Sequence, residues 1–133
     1  MFKPLRAAAA LPAQDMARAK AFYRDKLGLT PTQDDPGGMM FALAAGTGFG
    51  VFPSSGKPSG THTQMGIEVE DVEGAVKDLQ AKGVKFEEYD MPGLKTVNGV
   101  ATLGGSKVAW FKDSEGNLIV ISLPVPVGAQ ARS

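Results

Sequence analysis

The chain nearly repeats itself at half its length, and that repeat constrains its fold more than any single motif. A short apolar segment runs into Asp15, followed by a stretch of helical period and then Gly28-Leu29. The same order returns as Gly66-Ile67-Glu68-Val69 into Asp71, a second helix-period stretch, and Gly83-Val84. The two Asp lie 56 positions apart and the two Gly 55. Agreement to one residue over that length points to one supersecondary unit used twice.

Each copy reads as a strand, a helix and further strands. Asp15 stands where its carboxylate can accept the free N–H groups of a first helical turn. Met16, Ala19, Tyr23 and Leu27 then fall on one helical face, and Gly28 suits a left-handed cap. Val72, Ala75, Val76 and Leu79 repeat that face after Asp71, while Arg18, Lys20, Arg24, Lys77 and Lys82 fall outside the stripes and are expected in water. Strand-like runs follow each helix: Met40-Phe41-Ala42-Leu43 and Phe49-Gly50-Val51-Phe52 after the first, and Val84-Lys85-Phe86, Val108-Ala109-Trp110-Phe111 and Leu118-Ile119-Val120-Ile121 after the second. The turns between the paired runs are Gly46-Thr47-Gly48 and Asp113-Ser114-Glu115-Gly116-Asn117, rich in residues that favour reversals. Matching the two hairpins sets Val51 against Val120.

The second copy is longer. From Gly83 to Val120 is 37 positions, against 23 from Gly28 to Val51. The surplus falls between Met91 and Gly105 and is expected as a long loop, either a lid or a disordered insertion. Pro53 to Gly60 reads as the linker between copies. A length of 133 residues suits one domain, here 1–123, with modules over about 7–53 and about 62–122 and a frayed tail at 124–133.

Composition removes several function classes. Lys+Arg and Asp+Glu balance at 14 each, so no bulk field draws nucleic acid or an anionic membrane. The absence of cysteine excludes disulfides, thiolate metal sites and Cys nucleophiles. Lys3 and Arg6 before Ala7-Ala8-Ala9-Ala10-Leu11 resemble a short signal peptide, but the run is interrupted by Pro12 and leads straight into the first copy. It is read as the first strand. No stretch approaches membrane-spanning length, and a cytoplasmic location is expected.

Asp15 to Leu29, with Phe22-Tyr23 and Leu27-Gly28-Leu29 in that order, resembles the first-helix signature of the vicinal oxygen chelate superfamily. That superfamily includes glyoxalase I, bleomycin-resistance proteins and extradiol dioxygenases. Phe111 to Leu118, with Asp113-x-x-Gly116-Asn117, resembles its last-hairpin signature, and Gly66 to Asp71 matches the strand between modules. The resemblance covers about residues 7 to 122. It implies an α+β fold in which two βαβββ modules pair into one curled mixed sheet around a cleft, and it implies a homodimer.

Enzymes of that family hold a divalent metal as a Lewis acid on vicinal substrate oxygens. Their ligands sit on the first strand of each module and on the last. Carried over, those positions are Ala8, Val51, Gln64 and Val120, of which only Gln64 has a donor atom. His62, the single histidine, falls two residues before Gln64 and reads as a strand-end residue near the cleft mouth. One His and one Gln fall short of the three protein ligands usual in a catalytic site. No metal and no cofactor are therefore expected.

Other constellations are weak. Helix capping accounts for Asp15 and Asp71. Gly46 to Gly50 resembles a phosphate loop but precedes a strand. Glu68 is either a buried general base or a structural carboxylate. No catalytic residue is assigned. What remains is an apolar cleft, with Val51, Phe52, Trp110 and Val120 as wall and His62, Gln64 and Glu68 as polar handles. Phe41, Phe111 and Tyr89 lie on the same hairpins and loop, and core filling is the alternative for each aromatic. The resemblance and this lining point to a glyoxalase/bleomycin-resistance-like protein binding a small hydrophobic or aromatic molecule. The alternatives are a lyase, isomerase or dioxygenase of the same superfamily with atypical or no metal, and a subunit with a vestigial cleft.

Overall fold

The computed structural model of the chain describes residues 1–124. Two compact units form: Met1–Gln64 together with Lys112–Leu118, and Met65–Phe111 together with the segment that starts at Ile119. The expected frayed tail lies, beyond Pro124, outside the described residues.

The first unit runs β1 (Ala9–Ala13), α1 (Met16–Leu27), β2 (Gln33–Asp35), β3 (Gly38–Ala42) and β4 (Gly48–Pro53). Asp15 caps α1 as expected: its Oδ1 accepts the Arg18 N–H at 3.0 Å. Gly28 closes the helix at φ 69°, a left-handed conformation that costs a side-chain-bearing residue more. The strands order as β1-β4-β3-β2, with β1 parallel to β4 and the other pairs antiparallel. α1 buries Ala19 and Tyr23 against this sheet, where the Tyr23 ring meets Phe41 at 5.2 Å and Phe49 at 5.6 Å. Phe41 and Phe49 face each other across β3 and β4 and stack at 4.9 Å.

In the second unit β5 (Thr63–Glu68) leads into α2 (Val72–Ala81), capped by Asp71, whose Oδ1 accepts the Gly74 N–H at 3.0 Å. Then come β6 (Asp90–Met91), β7 (Leu94–Val97), β8 (Val100–Leu103), β9 (Ser106–Lys112) and β10 (Leu118–Ser122). The six-stranded order β5-β10-β9-β8-β7-β6 repeats the first sheet's permutation and adds β7 and β6 at its edge. The α+β class and the twofold βαβββ pattern are thus present, distributed over two sheets rather than one. Among the described residues no helix is long and apolar enough to cross a membrane.

Three expectations need correction. The surplus residues are neither lid nor disordered loop: they form β6, β7 and β8 as antiparallel strands. Asn98 (φ 52°) and Gly99 (φ 80°) make the two-residue reversal between β7 and β8, the Asn-Gly chemistry such a turn demands. Val84-Lys85-Phe86 is not a strand; only an isolated bridge joins Phe86 to Phe111.

The third correction is one of register. Leu43 N donates to Thr47 O at 2.8 Å and Gly46 N to Leu43 O at 3.1 Å; Asp113 N donates to Asn117 O at 3.0 Å and Gly116 N to Asp113 O at 3.2 Å. The two turns are the same turn, so Thr47 matches Asn117, and three residues on Gly50 matches Val120. Val51 instead lies opposite Leu11 and Met39, is 0% exposed, and shares its face with Phe49 toward α1. A one-residue slip moves a side chain to the other face of a sheet. Val51 is therefore core, not wall of a binding cleft.

Candidate functional site

The two signature motifs meet inside the first unit, in the turn between β9 and β10. Asp113 Oδ1 accepts the N–H groups of Glu115 at 2.9 Å and Asn117 at 3.0 Å. Its Oδ2 accepts the Tyr23 hydroxyl at 2.7 Å and Asn117 Nδ2 at 2.9 Å. Asn117 Nδ2 also donates to Pro12 O at 3.0 Å, tying the turn to β1. Glu115 Oε1 accepts the N–H groups of Gln14 and Asp15, each at 3.0 Å, immediately before α1. Arg18 Nε donates to Glu115 Oε2 at 2.8 Å and Arg18 Nη2 to Oε1 at 3.0 Å, a two-point grip.

These contacts set the electrostatics of the turn. The Arg18 hydrogen bonds, with those from Asp15 N–H and the Ser114 hydroxyl, hold the Glu115 carboxyl down at about 2 against its burial. Burial first, then the Asp113 carboxylate, pushes the Tyr23 phenol far above its ordinary value. Asn117 Oδ1 is buried with no hydrogen-bond partner; the other side-chain polar groups here accept from or donate to one another, and together they clasp the start of α1. In the sequence Glu115 reads as a turn residue only; its partners lie about 100 positions away, and no local pattern announces them.

On the face of the first sheet turned away from α1, Phe52 is 37% exposed and folds back over two glycines. A Cβ at Gly50 would stand 2.5 Å from Phe52 Cε2 and 2.9 Å from Met40 Sδ, and one at Gly38 would overlap the same ring. Only glycine at both positions lets the ring lie flat. Met40, Gly38 and Gly50 were not picked out from the sequence. The signal for them is the Gly-x-Gly spacing in β4, which leaves room on one face only.

The remaining candidates fall as follows. His62 is exposed, its Nδ1 3.0 Å from Ser59 Oγ. Gln64 is half-buried on β5, and its Oε1 is buried with no hydrogen-bond partner. Glu68, on the same strand parity, is exposed rather than a buried base. In the second unit, a Cβ at Gly66 would lie 3.3 Å from Val120 Cγ1, so Gly66 and half-buried Val120 are neighbours on one face. Trp110 is half-buried and meets Tyr89 edge-on at 5.5 Å, and burial there, with Glu87 nearby, raises the Tyr89 phenol. Phe41 and Phe111 are core.

The register correction leaves the metal question where the residue types put it. The positions to compare with the family's ligands become Ala8, Gly50, Gln64 and Val120, which offer a methyl, a hydrogen, an amide and an isopropyl group. Among the described residues no three His, Asp or Glu side chains gather to hold an ion. A divalent metal needs about three protein donors, and this set does not fit one.

Residues 6–121 match the family model described as the Glyoxalase/Bleomycin resistance protein/Dioxygenase superfamily. Among curated proteins none matches the chain. Among solved structures, the bleomycin resistance determinant encoded on the transposon Tn5 is 19% identical, with TM-score 0.69, 90% of this chain and 98% of that one covered. A glyoxalase/bleomycin resistance protein/dioxygenase from Nocardioides is 19% identical, with TM-score 0.66 and coverages of 95% and 87%. TnmS3, an antibiotic binding protein from Streptomyces, is 20% identical, with TM-score 0.62 and coverages of 93% and 100%. At these identities the likeness is one of fold.

Proposed function

The chain belongs to the Glyoxalase/Bleomycin resistance protein/Dioxygenase superfamily, and from that premise we propose that it is a metal-free binding member that sequesters a small hydrophobic or aromatic molecule. The observation that carries this reading is the replacement of donors by Ala8, Gly50 and Val120 while both fold signatures are intact. Within the first unit, Phe52 over Gly38 and Gly50 supplies a flat aromatic surface. Flat aromatic surfaces with a few polar groups suit planar organic ligands. Gln64 contributes the polar handle: a buried amide oxygen without a partner gains by accepting a hydrogen bond from a ligand. Two relatives by fold, described as a bleomycin resistance determinant and an antibiotic binding protein, make aromatic antibiotics the first ligands to try. The same reading includes a cytoplasmic homodimer.

The test is thermal unfolding of the metal-stripped protein with a panel of aromatic antibiotics, bleomycin among them, and separately with Ni²⁺, Zn²⁺ or Mn²⁺. A ligand at a hundred times its Kd is expected to raise Tm by about 5 °C or more without metal. Stoichiometric metal in fresh protein, with binding or turnover that vanishes when it is stripped, overturns the proposal. A second reading, an enzyme of the superfamily that works through Gln64, rests on the same orphaned amide oxygen. Turnover of an α-keto hemithioacetal or a catechol that disappears in Gln64→Ala favours it.

A further inference from the structure

Helix α2 covers only part of its sheet. Beside it, against β7, β8 and the start of β9, lies a groove of about 750 Å³, a size ordinary for a small-molecule site. Its floor is set by register. Val97 pairs with Val100 and Thr102 with Lys107, so these side chains share the α2 side with Ala109. Trp110 and Val120 alternate to the opposite face. The groove is therefore separate from the surface discussed above, and it exists because the surplus residues of the second module became strands.

Its lining is amphipathic. Lys77 comes from α2, Lys95 from β7 and Lys107 from β9; Glu73 is the single acidic residue among the lining side chains. None of the three lysines makes an ion pair among the described residues, and Asp90, cross-strand from Lys95, makes none with it. Cations drawn from three elements to one concavity raise its potential, and an anion relieves that repulsion. Between them lie apolar groups open to water: Val97 is 65% exposed, with half-buried Val100 paired to it on the adjoining strand. Water contacts of that kind are given up when an alkyl or aryl body covers them.

We propose that this groove is a binding site for an amphipathic organic anion, a carboxylate on an alkyl or aryl body. The carboxylate sits among Lys77, Lys95 and Lys107, and the body lies along Val97 and Val100. The probe is dodecanoate, titrated below its micelle concentration into ¹⁵N-labelled protein and followed by amide shifts. Saturable shifts confined to α2 and to β7 through β9 are expected. Lys95→Glu with Lys107→Glu, both on exposed side chains, is expected to raise Kd about tenfold or more while leaving Tm unchanged. Dodecyltrimethylammonium, the same chain with a cationic head, is expected not to bind there. Absence of saturable binding, equal binding of the cationic amphiphile, or shifts confined to Gly66, Trp110 and Val120 would each overturn the proposal.

Discussion

The Tyr23 hydroxyl donates to Asp113 Oδ2 at 2.7 Å across 90 positions of sequence, joining the first helix to the last hairpin turn. Both motifs that carry the family resemblance end in this one bond. Their spacing is a requirement of assembly: the helix supplies a phenol, and the turn supplies a carboxylate whose other lone pairs are already engaged by Glu115 and Asn117 N–H groups. The pair is buried, so each group needs the other.

Tyr23→Phe keeps the ring that stacks with Phe41 and Phe49 and removes only the hydroxyl. Asp113 Oδ2 then retains Asn117 Nδ2 alone. The expected cost is about 1–3 kcal/mol, read as a lower urea midpoint with unchanged m. In the wild type, ultraviolet titration is expected to leave this phenol unionised until the protein unfolds, because burial and the neighbouring carboxylate both oppose the phenolate.

Acid lability is expected to centre on Glu115. Its folded-state value, about 2, lies below the ordinary 4.5. Between those values the unfolded chain binds the proton and the folded chain does not, so stability falls as pH drops. The contribution is complete above about pH 4.5 and is lost progressively toward pH 2. Glu115→Gln cannot titrate, and its stability should be lower at neutral pH yet flatter across that window. Denaturation curves at half-unit pH steps decide it; an unchanged slope in the variant would exclude Glu115 as the source.

The register of β4 has a sharp mutational signature. Val51→Asp puts a carboxylate into a fully buried site against Leu11 and Met39 and is expected to abolish folding. Phe52→Ala, one residue on, removes a partly exposed ring and should cost about 1 kcal/mol or less. Under the proposed function it should also weaken an aromatic ligand by about tenfold. Circular dichroism and thermal melts of the two variants separate the assignments; a folded Val51→Asp with an unfolded Phe52→Ala would restore the opposite register.

Where local physics decides structure, the sequence was legible. The Asp15 and Asp71 caps each act within three residues, and both helices start where expected. The two hairpin turns and the strand from Phe49 to Phe52 were visible, but the register of that strand was not: Phe49-Gly50-Val51 gives no alternating contrast, since glycine is silent about which face is buried. β6 and β7 hold two and four residues and include Asp90 and Lys95, too short and polar for any period to register. The reversal between β7 and β8 carries one local signal, Asn98-Gly99, inside a stretch that reads in the sequence as a long loop. The Arg18–Glu115 grip was invisible for another reason, being a contact between positions 97 residues apart.

Gln64 offers a final test, because stability and function should move in opposite directions there. Its Oε1 is buried without a hydrogen-bond partner, a cost the folded protein carries in the absence of a ligand. Gln64→Met keeps the length and removes the orphaned oxygen, so the free protein should gain about 1 kcal/mol. If that oxygen accepts a hydrogen bond from a bound molecule, the same variant should bind it about tenfold more weakly and show a smaller ligand-induced rise in Tm. A variant that is more stable and binds unchanged would make Gln64 an ordinary packing defect. One that is less stable would mean the amide is satisfied in solution, and the polar handle of the proposed site would have to be sought elsewhere.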